Sequence, residues 1–583
     1  MQQANPKPSR VDAQPWQWII GVLWWGCSQG AIAQPVPPNI PNSLPPASDR
    51  LPPLEELLPP STPEDIPLDV PIAPPPAMFP ARPDAPRLTI NRFEFAGNTA
   101  FSAAELTAVV ATYLGRSLTL AEIQAAGQAI TQHYQDQGYI TSGAFVPPQS
   151  VADGALRVQI FEGGIEAINV TGVRRLDRSY IRQRVAEAVR SPLKQGDLLN
   201  ALQRLKRDPL IESIAAELSA GTQPGMNILD LRVVERDAFD IDFSVDNQRS
   251  PSVGSDRRQV NFSHGNLTGR GDRLTVGWVN TEGSNSLNNL SYTVPINARN
   301  GTLGLSYGRS ENAIIEAPFN VLDISSRSHN YQFTYRQPLI QTDSTDFALS
   351  LSLSYQASQT FLGFDDIGPF PLSFGADENG RTTITALRFV QEYSHRSGRD
   401  VFALRSQFSL GLDALNSTIN PDPIPDSTFA SWRLQSQYLR LLAPQTIALL
   451  RTDLQLADQG LLAAEQFAIG GASTVRGYRQ DFRTADNGFF ASAELRLPIL
   501  RIPQWATLLQ VTPFVDYGFV WNSSEFTADN PSTLASFGLG SLLSIGDRFS
   551  ARLDWGIPLI NPNIDQNSLQ EQGIHFSVNY RLF

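Results

Sequence analysis

The sequence predicts a membrane all-β protein: a closed antiparallel transmembrane β-barrel of about sixteen strands, preceded by two small α/β modules. Three observations carry this. Strict period-two alternation recurs through the 345 residues from Phe239 to Phe583, with turn-rich polar stretches between the runs. Only 17 % of the chain is charged, against about 25 % in ordinary soluble domains. No stretch after residue 35 approaches the roughly 20 consecutive apolar residues that a spanning helix needs. The length of 583 residues lies far past the roughly 250 to 300 at which one hydrophobic core stops growing, so several domains are expected. A net charge of −12 argues against nucleic acid as a partner, because that affinity rests on neutralising phosphates.

Residues 1–33 read as an export signal. Lys7 and Arg10 precede an apolar stretch from Trp16 to Gly26, and Ala31-Ile32-Ala33 before Gln34 fits a small-x-small cleavage site. A short membrane anchor and a lipidation site at Cys27 are the alternatives. Cys27 is the only cysteine, so cleavage leaves a chain with neither disulfides nor a thiol nucleophile. Residues 34–86 form a linker: 19 of the 43 prolines fall between Pro35 and Pro86, a composition that favours extended polyproline or disorder.

The first module is expected over residues 87–163. Leu88 to Phe95 alternates as a strand, and Gly97-Asn98 turns it. Ser102 caps a helix carrying Glu105 in its first turn. A second helix from Leu120 to Gln137 places Ile123, Ala126, Ile130 and Tyr134 on one face. Strands from Thr141 to Val146 and Ala155 to Phe161 complete a β-α-α-β-β order. The order repeats over residues 164–236, with a strand from Glu166 to Val170, helices from Ser179 to Val189 and Leu198 to Arg207, and strands from Ile214 to Leu218 and Leu229 to Val234. Such modules present a sheet edge to an extended client strand; a rigid spacer is the alternative.

The barrel is expected over residues 237–583. Phe347, Leu349, Leu351, Leu353 and Tyr355 alternate with Ala348, Ser350, Ser352, Ser354 and Gln356. Phe402, Leu404, Phe408, Leu410 and Leu412 lie opposite Arg405, Gln407 and Ser409. One face suits lipid and the other water. At about 21 residues per strand and connection the region holds about sixteen strands, and an unpaired edge in hydrocarbon costs several kcal/mol per group, so the sheet closes. Pro295-Ile296, Pro338-Leu339-Ile340, Pro498-Ile499 and Pro558-Leu559 are expected at short periplasmic turns. Gly363 to Arg381 and Asn416 to Ser427 are expected as extracellular loops. Apart from histidine, every basic residue of this region is Arg, compatible with a lumen of guanidinium–carboxylate pairs and equally with the base composition of a genome.

Two motifs stand out. A glycine-bounded inward loop at residues 467–484 contains Val475, Arg476, Gly477 and Tyr478. In the strand that follows, Val511, Val515, Tyr517, Phe519 and Trp521 form the lipid face, so Thr512, Phe514, Asp516 and Gly518 point inward. A lumen carboxylate needs water or a cation. Spacing alone leaves open whether Arg476 is that cation or an exposed loop residue.

Together these features resemble the TpsB family of two-partner secretion transporters, the haemolysin secretion/activation proteins, whose two polypeptide-transport-associated (POTRA) domains precede a barrel of about sixteen strands. The likeness runs from Leu88 to Phe583. It is carried by Val475-Arg476-Gly477-Tyr478, Phe514-x-Asp516-x-Gly518, Phe93-x-Phe95-x-Gly97-Asn98 with Tyr139, Asp208-Pro209-Leu210, Leu218-x-x-Gly221-x-x-x-Gly225, and Asn266-Leu267-Thr268-Gly269-Arg270-Gly271-Asp272. The resemblance implies an outer-membrane translocator without chemistry. Its periplasmic POTRA domains, with Phe93, Phe95 and Tyr139 as client-binding candidates, bind the N-terminal secretion domain of a TpsA-like exoprotein. The client crosses the lumen and folds outside, and Arg476 pairs with Asp516. It also implies insertion by the barrel-assembly machinery, contact with outer-membrane lipid, and a monomer.

The sequence departs from the family in two places. Leu54-Glu55-Glu56-Leu57-Leu58 is too short between prolines for the plug helix of some members. Ile574, Phe576, Val578, Tyr580 and Leu582 share one face, which leaves terminal Phe583 out of phase with the usual assembly signal. An insertase for other barrels is the main alternative, since Val-Arg-Gly-Tyr marks the wider superfamily, although insertases usually carry three or more POTRA repeats. A passive porin has no use for the modules. No enzyme, cofactor or metal is expected: the five histidines are scattered without zinc spacing, no Gly-x-Ser-x-Gly elbow is present, and Gly538-Leu539-Gly540 lacks the third glycine of a nucleotide loop.

Overall fold

A computed structural model describes residues 68–69, 87–151, 153–223, 225–523, 532–561 and 567–582. The export signal, nearly all of the proline-rich arm and Phe583 lie outside the described residues.

The first α/β unit forms because short amphipathic segments bury one common core. Ser102 accepts from Glu105 N–H at 3.3 Å and Glu105 accepts from Ser102 N–H at 2.8 Å, a reciprocal cap that starts the helix Ala103–Val109. Thr119 and Glu122 repeat this at the helix Leu120–Asp136. Ile123, Ala126, Ile130 and Tyr134 of that helix are buried against Leu156, Val158 and Ile160, alternate residues of the strand Ala155–Phe161. That strand runs parallel to Arg92–Ala96 and antiparallel to Gly143–Phe145. The expected first strand divides: Leu88–Ile90 leaves the sheet and pairs with Arg116–Leu118, a three-residue strand too short to stand out in the sequence.

The second unit repeats the order with strand Gly164–Thr171, helices Arg178–Ala188 and Gln195–Lys206, and strands Ile211–Ala220 and Met226–Glu235. Its core is the buried face of both helices against the sheet, from Ile181 and Val185 to Leu229 and Val233. Within the arm, Leu68–Asp69 lies parallel beside Ile211–Ala220, with Leu68 opposite Ala216.

The barrel closes on itself. Seventeen strands belong to the sheet, but Gly368–Pro369 is a two-residue piece pairing with one neighbour while the strands on either side of it pair directly, so the wall has sixteen. Closure joins Phe239–Asp246 to the last strand Ile574–Arg581, with Phe243 opposite Tyr580. The two faces fall as the alternation demands. Leu351, Leu353, Phe408 and Leu410 are exposed on the outer face, while Ser350, Ser352, Arg405, Gln407 and Ser409 are buried inside. Lumen arginines pair with carboxylates: Arg336 and Arg405 with Glu392, Arg433 with Asp453 and Arg388 with Glu465.

The second unit meets the barrel at three short turns. Asp177 N–H donates to the Gly269 carbonyl at 2.8 Å, Arg184 donates to Asn300 at 2.9 Å, and Arg207 pairs with Asp343 at 3.0 Å. These contacts mark the near end of the barrel. Pro295 lies there, as expected. Pro338 and Pro498 also lie toward that end, but inside strands at register shifts, where a missing N–H is tolerated. Pro558 corrects the expectation: it ends the strand Phe549–Pro558 at the far end. A proline reports that pairing stops without reporting at which mouth. The long connections 363–380 and 413–429 lie at the far end, as expected for extracellular loops.

Candidate functional site

The site is the point where the long far-end connection 458–486 folds back into the lumen. Its base is a small hairpin, Phe467–Ile469 paired with Arg483–Ala485. Phe467, Ile469, Val475 and Tyr478 join Phe490, Val520 and Leu534 of the wall in one apolar cluster. Burial of that face draws the loop inward, and the Glu465 pair with Arg388 at 2.6 Å fixes its entry.

Arg476, at the loop tip, is 1 % exposed. Its Nε and Nη2 donate to Oδ2 and Oδ1 of Asp516 at 2.7 and 2.8 Å, and its backbone N–H donates to Oδ2 at 3.1 Å. The fork of the guanidinium thus meets both carboxylate oxygens. Nη1 donates to Glu494 at 2.7 Å and Nη2 to Ser492 Oγ at 3.3 Å. The guanidinium carbon stands 3.4 Å from the ring centroid of Phe514, a cation–π contact in a dry setting. Asp516 also accepts from Ser492 Oγ at 2.7 Å.

Sheet register brings these groups together. Ser492 lies opposite Asp516 and Glu494 opposite Phe514, so two neighbouring strands present four inward side chains as one patch. Two strands further, Arg552 donates to Glu494 at 2.6 Å and to Asp554 at 2.6 Å, and Arg496 donates to Glu494 at 3.0 Å. Three guanidiniums face three carboxylates, which lowers the desolvation cost that a lone buried charge would carry.

The glycines make room for this contact. A Cβ on Gly518 would stand 2.8 Å from Val475 Cγ2 and 3.2 Å from two carbons of Ile469, so the wall is notched where the loop lands. Gly477 has φ +95° and lies 3.0 Å, measured from an added Cβ, from the backbone of Gly556 on the strand Phe549–Pro558, a conformation and an approach suited to glycine. Its N–H donates to His575 Nε2 at 3.2 Å. Tyr478 Oη sits 2.9 Å from the carbonyls of Ala535 and Ile560.

The structure therefore assembles Val475, Arg476, Gly477, Tyr478, Phe514, Asp516 and Gly518 in one place. Glu494, Ser492, Arg552, Asp554 and His575 were missed by sequence reasoning. Their signal was present, since Glu494 alternates with Ala493 and Leu495, and Asp554 with Leu553 and Trp555. Phe93, Phe95 and Tyr139 lie elsewhere, in the first α/β unit. Phe93 is 8 % exposed in its core, and Phe95 and Tyr139 pack partly buried against that core, so all three have packing roles. Among the described residues no cluster of His, Cys, Asp or Glu suited to a metal ion occurs.

Two α/β units of POTRA topology, a sixteen-stranded closed barrel and an arginine-tipped loop seated on the inner wall define the class of POTRA-bearing outer-membrane β-barrels. The model of the haemolysin secretion/activation proteins ShlB/FhaC/HecB matches residues 225–543, more than half of the chain, and the ShlB-type POTRA domain matches residues 88–163. The chain belongs to this family, an outer-membrane transporter of two-partner secretion with periplasmic POTRA domains; such transporters act with TpsA-type exoproteins. It is 22 % identical to the outer membrane transporter CdiB of Escherichia coli O6:K15:H31 (strain 536 / UPEC), over 82 % of this chain and 80 % of that protein. It is 22 % identical to the heme/hemopexin transporter protein HuxB of Haemophilus influenzae (strain 86-028NP), over 79 % and 81 %. The solved structure of CdiB from Escherichia coli shares the fold at TM-score 0.64 and 19 % identity, covering 87 % of this chain and 92 % of that one. BamA from Haemophilus ducreyi lacking POTRA domains 1–3 shares it at 0.51 and 14 %, covering 85 % and 100 %.

Proposed function

We propose that the protein captures an extended partner exoprotein at its POTRA sheet edges and passes it through the barrel lumen, with the Arg476–Asp516 contact holding the inward loop in its working position. The observation that carries this reading is the buried two-point pair between a loop arginine and a wall aspartate, inside a lumen lined by paired polar groups. A chain in transit makes no lasting bonds to such a wall, because its charges are already matched.

The first sheet has two edges, Arg92–Ala96 and Gly143–Phe145. Thr131 of the helix Leu120–Asp136 caps the Ala144 N–H at 2.9 Å, so the Arg92–Ala96 edge is the one offered to the client, and Phe95 and Tyr139 stiffen the unit from its core. Residues 1–33 serve as the cleaved export signal and 34–86 as the arm. The barrel is inserted by the barrel-assembly machinery and works as a monomer without a cofactor, and no step needs enzymatic chemistry.

Adjacent residues test the route. A photo-crosslinking amino acid at lumen-facing Gln407 should capture the secreted partner during export, and the same group at lipid-facing Phe408 should not. Capture at Phe408 alone would contradict the route.

A further inference from the structure

Arg479, three residues beyond Arg476, has no part in the wall contact. Its Nη1 and Nη2 donate to Oε1 and Oε2 of Glu316 at 2.8 and 2.7 Å, and Nη1 also donates to Glu571 at 3.1 Å. Glu316 belongs to the far-end connection 314–323 and Glu571 to the far-end residues 567–573 that precede the last strand. One guanidinium therefore joins two carboxylates 255 residues apart in sequence.

The next residue extends the tie. Gln480 N–H donates to Gln570 Oε1 at 2.7 Å, and the Gln570 amide donates to the Arg249 carbonyl at 2.7 Å and to that of Asn247. Residues 247 and 249 stand at the first far-end connection, which itself bonds the connection 314–323 through Ile315 N–H and the Ser252 carbonyl at 3.0 Å. Val253, Ile314, Ile324 and Leu362 seal the same region with a buried apolar cluster.

We propose that Arg479 is a positioning residue that latches the outer mouth. While Arg476 is seated on the wall, Arg479 ties the connection 314–323 to residues 567–573 at the far end. When the loop leaves the wall it takes Arg479 with it, and Glu316 and Glu571 are left as like charges with no shared cation, which drives their connections apart. Glu571 also accepts from the N–H groups of Asn567 and Ser568 at 3.0 and 2.8 Å, so its own turn, residues 567–571, persists. Loop release then opens the exit in one movement, and reseating on Asp516 returns the loop to its working position, so a loop that stays released conducts ions without completing export. The inference rests on the reading that the lumen is the export route.

Planar-bilayer recordings of the full chain without client, with potassium chloride as the charge carrier, test it. Arg479→Ala and Glu316→Gln should each raise the fraction of time spent open by about tenfold, as expected for a lost charge-assisted bond. The double variant should open little more than either single one, and Arg476→Ala should open at least as much. The heat-modifiable gel shift of each variant reports a folded barrel, and Glu316→Gln keeps the test available where Arg479→Ala fails to fold. If both singles match the parent while Arg476→Ala opens, the latch is wrong and the export route stands. If Arg476→Ala also stays closed, the latch and the lumen route fall together.

Discussion

Replacing Arg476 by Ala removes the bidentate pair with Asp516, the bond to Glu494 and the cation over Phe514. Taking one partner from a buried ion pair costs about 3–5 kcal/mol, mostly because the other charge is left in a poor environment. Here the remainder is uneven. Glu494 keeps Arg552 at 2.6 Å and Arg496 at 3.0 Å, whereas Asp516 keeps two uncharged donors, Ser492 Oγ at 2.7 Å and, while the loop is seated, the backbone N–H of residue 476 at 3.1 Å. One stranded carboxylate places the loss near the lower end, about 3 kcal/mol, which lowers the ratio of seated to released loop by roughly two powers of ten. The barrel wall keeps its ladder, so the protein still folds. Val475, fully buried beside the tip, supplies the reporter: Val475→Cys in a chain whose Cys27 is changed to Ser carries one thiol. In the parent background that thiol should resist a membrane-impermeant maleimide, and Arg476→Ala should expose it and abolish secretion while the heat-modifiable band persists. Equal labelling with undiminished secretion would refute the reasoning.

Gly518→Ala places a methyl 2.8 Å from Val475 Cγ2; it should unseat the loop and lower secretion severalfold, and Val475→Ala should restore it, read by supernatant immunoblot. Glu162 accepts from the N–H groups of Thr99 and Ala100 at 2.6 and 2.7 Å and from Tyr134 at 2.9 Å. Burial alone would raise its pKa, but these bonds outweigh it and hold the carboxyl below the usual range. A depressed folded-state pKa stabilises above the unfolded value, near 4.3, and that contribution is lost as pH falls through the folded value. Amide protection at Thr99 and Ala100, corrected for intrinsic exchange, should hold from pH 7 to 5 and fall below about 4, and Glu162→Gln, whose amide oxygen still accepts but does not titrate, should abolish that pH dependence. Thr119→Ala removes the cap of the helix Leu120–Asp136 and should cost the first unit about 1 kcal/mol, seen as faster exchange in that helix. Deleting Leu88 to Glu235 should leave channel conductance and abolish client binding; retained binding would remove the POTRA units from recognition.

Alternation carried most of the architecture because lipid enforces it on every strand. The run from Val511 to Trp521 placed Asp516 in the lumen from parity alone, and helical spacing named the buried face of Leu120–Asp136 residue by residue. Neighbourhood was less legible. Ser492 meets Asp516 through the register of two strands, and Arg552 reaches Glu494 from a strand that is not its neighbour; neither relation has a local signature in the chain. The partner of Arg476 was named by family resemblance, and spacing would have left it free. Pro558 shows the same limit, because the chemistry that ends a ladder is identical at both mouths. The pairing of Leu68 with Ala216 was hidden by a proline-rich composition that reads as spacer throughout.

The most direct test compares the proteins of the culture supernatant and of the outer membrane in cells with and without this chain. Loss of one large exoprotein from the supernatant, with the outer-membrane barrels unchanged and secretion restored by the parent chain but not by Arg476→Ala, is the predicted result. An unchanged supernatant with depleted outer-membrane barrels would make the protein an assembly factor and contradict the account.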